Sequence, residues 1–161
     1  ITLSMSRTGY DAFLIEGRSR EPVFLEITDR GVTFHSAETH WGKETYEAEE
    51  ALLGTVGDPD AGALVIGPAG ENLVRFAMIE SEHGRSFGRA GIGAVMGSKR
   101  LKGIVFRGER RRSLADPASL RELAREFKER TRRHPTVSVY QKYGTPMLVS
   151  IMNTIGPWFS P

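Results

Sequence analysis

The stretch Arg85-Ser86-Phe87-Gly88-Arg89-Ala90-Gly91-Ile92-Gly93-Ala94-Val95-Met96-Gly97-Ser98-Lys99-Arg100-Leu101-Lys102 decides how the rest of this 161-residue chain is read. With Gly84 just before it, the segment carries five glycines and two flanking arginines, Arg85 and Arg89. Glycine lets a backbone come close to a ligand and turn its N–H groups toward it, and such nests bind phosphate. Arginine adds forked, charge-assisted hydrogen bonds to the same kind of oxygen. Two common phosphate motifs do not fit. A P-loop needs four residues between its glycines and Lys before Ser or Thr; here three separate Gly93 from Gly97, and Ser98 precedes Lys99. The dinucleotide fingerprint is one residue too short to match residues 91–97, which follow polar rather than strand-like sequence. Composition alone leaves two readings open: an atypical phosphate site, or small residues that permit tight helix packing.

Outward from this segment the chain reads as α+β. On the C-terminal side, residues 101–107 return to strand character, and Asp116-Pro117 marks a helix start with Asp as N-cap and Pro at the first helical position, running to about Arg132. A last apolar helix is expected over residues 145–155. On the N-terminal side, residues 12–16, 22–28, 31–35 and 63–66 are strand-like runs, with Asp29-Arg30-Gly31 as a hairpin turn. Residues 39–54 change to helical spacing, with Glu44, Glu47, Glu49 and Glu50 on the wet side. Residues 67–72 read as a loop and 73–79 as a further strand or short amphipathic piece. In the 67–76 stretch, Asn72 or Arg75 could orient a ligand, or the whole could be a turn with a capped exit. The glycines Gly88, Gly91 and Gly93 are expected to allow close backbone approach to a ligand.

Bulk composition narrows the classes. Hydrophobic residues make up 39% and charged residues 26%, ordinary for a globular domain. There is no cysteine, which excludes disulfides, thiolate metal sites and a cysteine nucleophile within this chain. The four histidines, His35, His40, His83 and His134, have no metal-ligand spacing; His83 lies nearest the glycine segment. No apolar run approaches the ~20 residues that span a bilayer, and no leader is expected at Ile1. The net charge of +2 hides an asymmetry: residues 1–106 carry −4 and residues 107–133 carry +5. Such a block suits a nucleic-acid partner, but Glu122, Glu126 and Glu129 interleave it at pair-forming spacing and aromatic platforms are lacking. The apolar ending, Gly156-Pro157-Trp158-Phe159-Ser160-Pro161, leads us to expect a fragment of a longer protein.

Four blocks resemble one family in order and spacing: Gly9-Tyr10-Asp11-Ala12-Phe13-Leu14-Ile15-Glu16-Gly17, Trp41-Gly42-Lys43-Glu44-Thr45-Tyr46-Glu47, Ile66-Gly67-Pro68-Ala69-Gly70-Glu71-Asn72-Leu73-Val74-Arg75-Phe76-Ala77, and residues 91–104. The chain resembles the aldehyde:ferredoxin oxidoreductase family of tungsten, sometimes molybdenum, enzymes. The resemblance implies a β-sheet-rich N-terminal domain on which a bis-pterin tungsten centre rests (residues 1–110), then the truncated start of a helical second domain (residues 111–161). It implies aldehyde oxidation to carboxylic acids with ferredoxin as electron acceptor, a magnesium ion bridging the pterin phosphates, and a [4Fe–4S] cluster whose ligands lie outside this chain. The fragment alone is then expected to be inactive. A cytoplasmic, homo-oligomeric full-length protein is also implied, with neither nucleic acid nor membrane as partner. The family's pterin- and phosphate-contacting run aligns with Arg85, Ser86, Gly88 and Arg89, and the magnesium ligand would be the main-chain carbonyl of Ser86. Phe87, Ala90 and Arg100 depart from the family's small residue, Gly and Asn. Relatives of the family that reduce aromatic thioesters or carboxylic acids form the alternative chemistry, with a basic nucleic-acid-binding module a more distant one.

Overall fold

The structure is a computed structural model and describes residues 1–155; the apolar ending at 156–161 lies outside the described residues. The chain divides into two compact units, Ile1–Arg112 and the residues from Ser113 on.

The first unit is built on one six-stranded sheet in the order β2-β1-β6-β3-β4-β5. Its strands are β1 (Val23–Thr28), β2 (Gly31–Ser36), β3 (Gly62–Val65), β4 (Ile79–Ser81), β5 (Arg85–Phe87) and β6 (Leu101–Phe106). The β1–β6 pair is parallel and every other pair is antiparallel. All six residues of β6 are buried, which is why its sequence is a near-continuous apolar run: a strand covered on both faces has no wet side to alternate with. On one face, Phe24, Val65 and Val105 pack with Ala48 and Leu52 of the helix α2 (Thr45–Val56). On the other, Leu25, Ile27, Ile104 and Phe106 pack with Met5, Phe13 and Ile15. Met5 belongs to α1 (Thr2–Arg7).

The expected hairpin turn at 29–31 forms, pairing Thr28 with Gly31. Residues 12–16, expected as a strand, form none. Phe13 and Ile15 pack partly buried side chains against the sheet without joining a backbone ladder. Residues 67–72, expected as a loop, contain a short helix α3 (Pro68–Glu71) with Pro at its first turn. Residues 73–77 form tight turns instead of a strand. The Leu73 N–H donates to the Gly70 carbonyl (3.0 Å), and the Val74 and Ala77 N–H groups donate to Ala69 and Val74 (2.9 Å each). These local bonds take up the donors that a ladder would need.

Two ion-pair systems, one part-buried and one fully buried, tie the sheet to its surroundings. Glu26 accepts hydrogen bonds from His35 (2.8 Å) and Arg107. Burial would raise its carboxyl pKa, but the bonds from Arg107 and then His35 outweigh this and hold it below the usual value. Lys102, fully buried, donates to the Glu71 carboxylate and to the Lys43 carbonyl at 2.8 Å. Glu71 in turn accepts from the Gly42 N–H at 2.8 and 3.0 Å. One salt bridge thus joins α3, β6 and the Trp41-Gly42-Lys43 turn.

The second unit consists of α5 (Pro117–Arg133), α6 (Pro135–Tyr143) and α7 (Met147–Ile155). Asp116 caps α5 as expected, accepting from the N–H groups of Ala118 (3.0 Å) and Ser119 (2.9 Å). Glu122, Glu126 and Glu129 pair with Arg125, Arg130 and Arg133 on the exposed surface of α5, so three of its arginines are engaged within the helix itself.

Candidate anion-binding edge

The glycine-rich segment splits into two parts with different physical roles. Its second half is packing. Residues 92–98 form α4 (Ile92–Ser98), and its glycines press directly on the backbone of α3 and the turns after it. A methyl group at Gly91 would overlap the Arg75 carbonyl oxygen and lie 2.9 Å from its carbon. One at Gly93 would overlap the Met78 carbonyl, and one at Gly97 the Gly70 carbonyl. Gly91 also sits at φ +66°, a left-handed conformation that glycine adopts without strain. The close approach expected of Gly91 and Gly93 is therefore made to this chain's own backbone, not to a ligand.

The first half is different. Residues 82–90 are all exposed. β5 is the outer strand of the sheet, so one of its edges carries main-chain N–H and C=O groups that no further strand takes up. The structure places Arg85, Ser86, Gly88 and Arg89 together along this edge and the corner that follows. Among the described residues, neither the Arg85 nor the Arg89 side chain makes a hydrogen bond or close ion pair, though the charge of Arg85 is felt by the Glu82 carboxylate. The Ser86 hydroxyl donates to Glu80 across the hairpin at 2.6 Å, matching the Glu80–Ser86 strand register. Gly88 passes Met78 closely; an added methyl would lie 3.3 Å from its sulfur.

The hairpin tip is held from below. Glu82 and His83 both have positive φ, +48° and +49°. For residues with a Cβ this costs roughly 1–2 kcal/mol each. The compensating contact is Glu49 of α2, a carboxylate 3% exposed, which accepts from the Glu82 N–H (2.7 Å) and the His83 N–H (3.0 Å). Hydrogen bonds to a charged acceptor contribute about 1.5–3 kcal/mol each, enough to offset the strained turn. Tyr46 lies against the His83 ring (centroids 5.6 Å apart), and His83 Nε2 is 3.4 Å from Glu50.

Glu49 was not legible as a buried residue. It reads as one of four solvated helix carboxylates, and its partners are peptide groups more than thirty positions away. Its one sequence signal is its place beside Ala48 and three residues before Leu52, on the border of the helix's buried face. Of the other candidates, Asn72 donates to the Pro68 carbonyl (2.8 Å) and closes its own turn; Arg75 is exposed.

Two free guanidinium groups beside an open strand edge fit a phosphate-bearing ligand. Among the described residues there is no cluster of three or more His, Cys, Asp or Glu side chains that could hold a metal. Nor, among the described residues, is any helix long and apolar enough to cross a membrane.

Fold and edge together define an α+β domain with two exposed arginines beside an open strand edge. Residues 1–108 match the family model described as aldehyde ferredoxin oxidoreductase, N-terminal domain. The tungsten-containing aldehyde ferredoxin oxidoreductases of Pyrococcus abyssi and Pyrococcus horikoshii are 46% and 44% identical to the chain over 149 residues, covering 92% of it and 24% of each relative. The solved active site complex BamBC of benzoyl coenzyme A reductase with 1,5-dienoyl-CoA superposes with a TM-score of 0.75 at 37% identity, covering 80% of this chain and 20% of that one. The chain belongs to the aldehyde ferredoxin oxidoreductase family, and what it matches is that family's N-terminal domain. It spans about a quarter of the length of the curated relatives it matches.

Proposed function

We propose that this chain is the pterin-cofactor-binding part of a tungsten-dependent oxidoreductase that converts aldehydes to carboxylic acids and passes the electrons to ferredoxin. The observation that carries the reading is the exposed edge at residues 85–89, with two unpaired guanidinium groups, in a chain of this family. In this reading Arg85 and Arg89 bind the phosphates of a bis-pterin. The Ser86 carbonyl is a magnesium ligand, and Gly88 lets the ligand come close to the backbone. When bound, the tungsten centre (or molybdenum in its place) supplies the two-electron chemistry; this chain holds and orients it. A [4Fe–4S] cluster, the proton-transfer groups and the aldehyde pocket are contributed by residues outside this chain, which has no cysteine. Residues 1–110 form part of the tungstopterin domain, and residues 111–161 begin a helical second domain. The full-length protein is cytoplasmic and homo-oligomeric in this proposal. Thioester or acid reduction is not favoured, because the aldehyde enzymes match at higher identity and over more of the chain.

Replacing Arg89 by Ala in the full-length protein is expected to weaken pterin retention by about 10- to 100-fold, the loss of one charged hydrogen-bonding group. Pterin and tungsten content per chain measure it; unchanged content would remove Arg89 from the site. The 161-residue chain alone is expected to show no dye-linked aldehyde oxidation, and detectable turnover would contradict the division of labour described above.

A further inference from the structure

We infer that Glu49 is a positioning residue for the pterin-phosphate edge: by binding the Glu82 and His83 N–H groups it fixes the β4–β5 turn, and so the direction in which Arg85 faces. This rests on the function proposed above. Each strand of the hairpin has three residues, and β4 is anchored to β3 through a single pair, Val65–Glu80. So short a hairpin has little intrinsic stability. Its turn also contains two non-glycine residues in the left-handed region, so without support it has a lower-energy alternative. A one-residue change in turn length would shift the register and send the β5 side chains to the opposite face of the sheet. Arg85, paired with Ser81, would then point away from the ligand, and the Ser86–Glu80 hydrogen bond would be lost.

Several groups touch this turn, and their contacts differ in kind. Tyr46 and Glu50 meet the His83 side chain, which constrains the ring but not the backbone. Glu49 alone among these α2 residues meets main-chain N–H groups, and it does so from a buried position on a rigid helix. Rigid support beneath a binding edge is what pre-organises it.

The test uses the full-length protein with Glu49→Ala, Glu49→Gln, Arg85→Ala, the Glu49→Ala/Arg85→Ala pair and the Glu49→Ala/His83→Gly pair. Pterin content per chain and amide hydrogen exchange are measured on each. Glu49→Ala is expected to speed exchange about ten-fold or more at residues 82–87 while the amides of β6 stay protected, and to lower pterin content about as far as Arg85→Ala does. Adding Arg85→Ala should lower it no further, because both changes act through the same guanidinium. Glycine at position 83 removes one of the two strained positions that Glu49 offsets, so Glu49→Ala/His83→Gly should recover part of the lost pterin. A merely structural loss in α2 would not be rescued this way. Glu49→Gln keeps the side chain's shape and one acceptor oxygen, and should fall between. Unchanged pterin content in both Glu49 variants, with Arg85→Ala still lowering it, would overturn the role of Glu49 and leave the site reading intact. Unchanged content in the Arg85→Ala variant too would overturn both.

Discussion

Glu71→Ala is expected to destabilise the first unit by about 3–5 kcal/mol, the cost of leaving one partner of a buried ion pair uncompensated. Lys102 is fully buried, the Glu71 side chain is 4% exposed, and the ammonium would keep only the Lys43 carbonyl. The Gly42 N–H would lose its acceptor at the same time. For a chain of this size the melting temperature should fall by roughly 10 °C. The pH dependence is a sharper signature. Burial already holds the Lys102 pKa below its ordinary value, and its hydrogen bond to the Glu71 carboxylate partly restores it. Without Glu71 the folded-state value falls further. Between that depressed value and the unfolded one near 10.5 the unfolded chain binds more protons, so stability rises with pH across the window. The urea midpoint of Glu71→Ala should therefore approach that of the parent protein as pH rises from 7 to 9. A constant gap would contradict a role for Glu71 in holding the Lys102 charge. Adding Lys102→Met should recover part of the loss, since removing both charges is far less costly than removing one.

Gly97→Ala is expected to cost about 3 kcal/mol or more, at the upper end for overpacking. The added methyl would overlap the Gly70 carbonyl oxygen and lie 2.6 Å from its carbon. The obstacle is backbone, so no rotamer change relieves it. The facing position is also tight, though less so, because a methyl at Gly70 would lie 2.9 Å from the Gly93 carbonyl oxygen. Helices α3 and α4 must separate to admit it. Gly54→Ala supplies the contrast: it lies inside α2, with nothing within 4 Å of the new methyl, and Ala favours a helix interior by up to ~1 kcal/mol. Urea unfolding should show the first variant much weakened and the second unchanged or slightly more stable. Equal effects would contradict the packing role of the glycine-rich helix.

What could be read in advance follows from where the deciding interactions lie. β1, β3 and β6 were legible because strands buried in a sheet centre need apolar runs, and α5 because Asp116-Pro117 is a local start signal. α4 was not. Its glycines are poor helix formers, and it exists because only glycine lets two backbones meet there; tertiary packing overrides propensity. α6 also went unread, although His134 and Pro135 start it much as Asp116 and Pro117 start α5. At the candidate site, the family resemblance singled out Arg85, Ser86, Gly88 and Arg89 as a group, and the structure brings them to one exposed edge. The support beneath them was not: Glu49 and Lys102 look like surface charges until the distant peptide and carboxylate groups that bury them are brought alongside.

The central claim is that the edge at residues 85–89 holds a pterin phosphate. Its most direct test is a crystal structure of the full-length protein with its cofactor bound. The Arg85 and Arg89 guanidinium nitrogens are expected within about 3 Å of phosphate or pterin oxygens, with the Ser86 carbonyl directed at a magnesium ion. A cofactor bound elsewhere, with both guanidinium groups facing solvent or another part of the polypeptide, would contradict it.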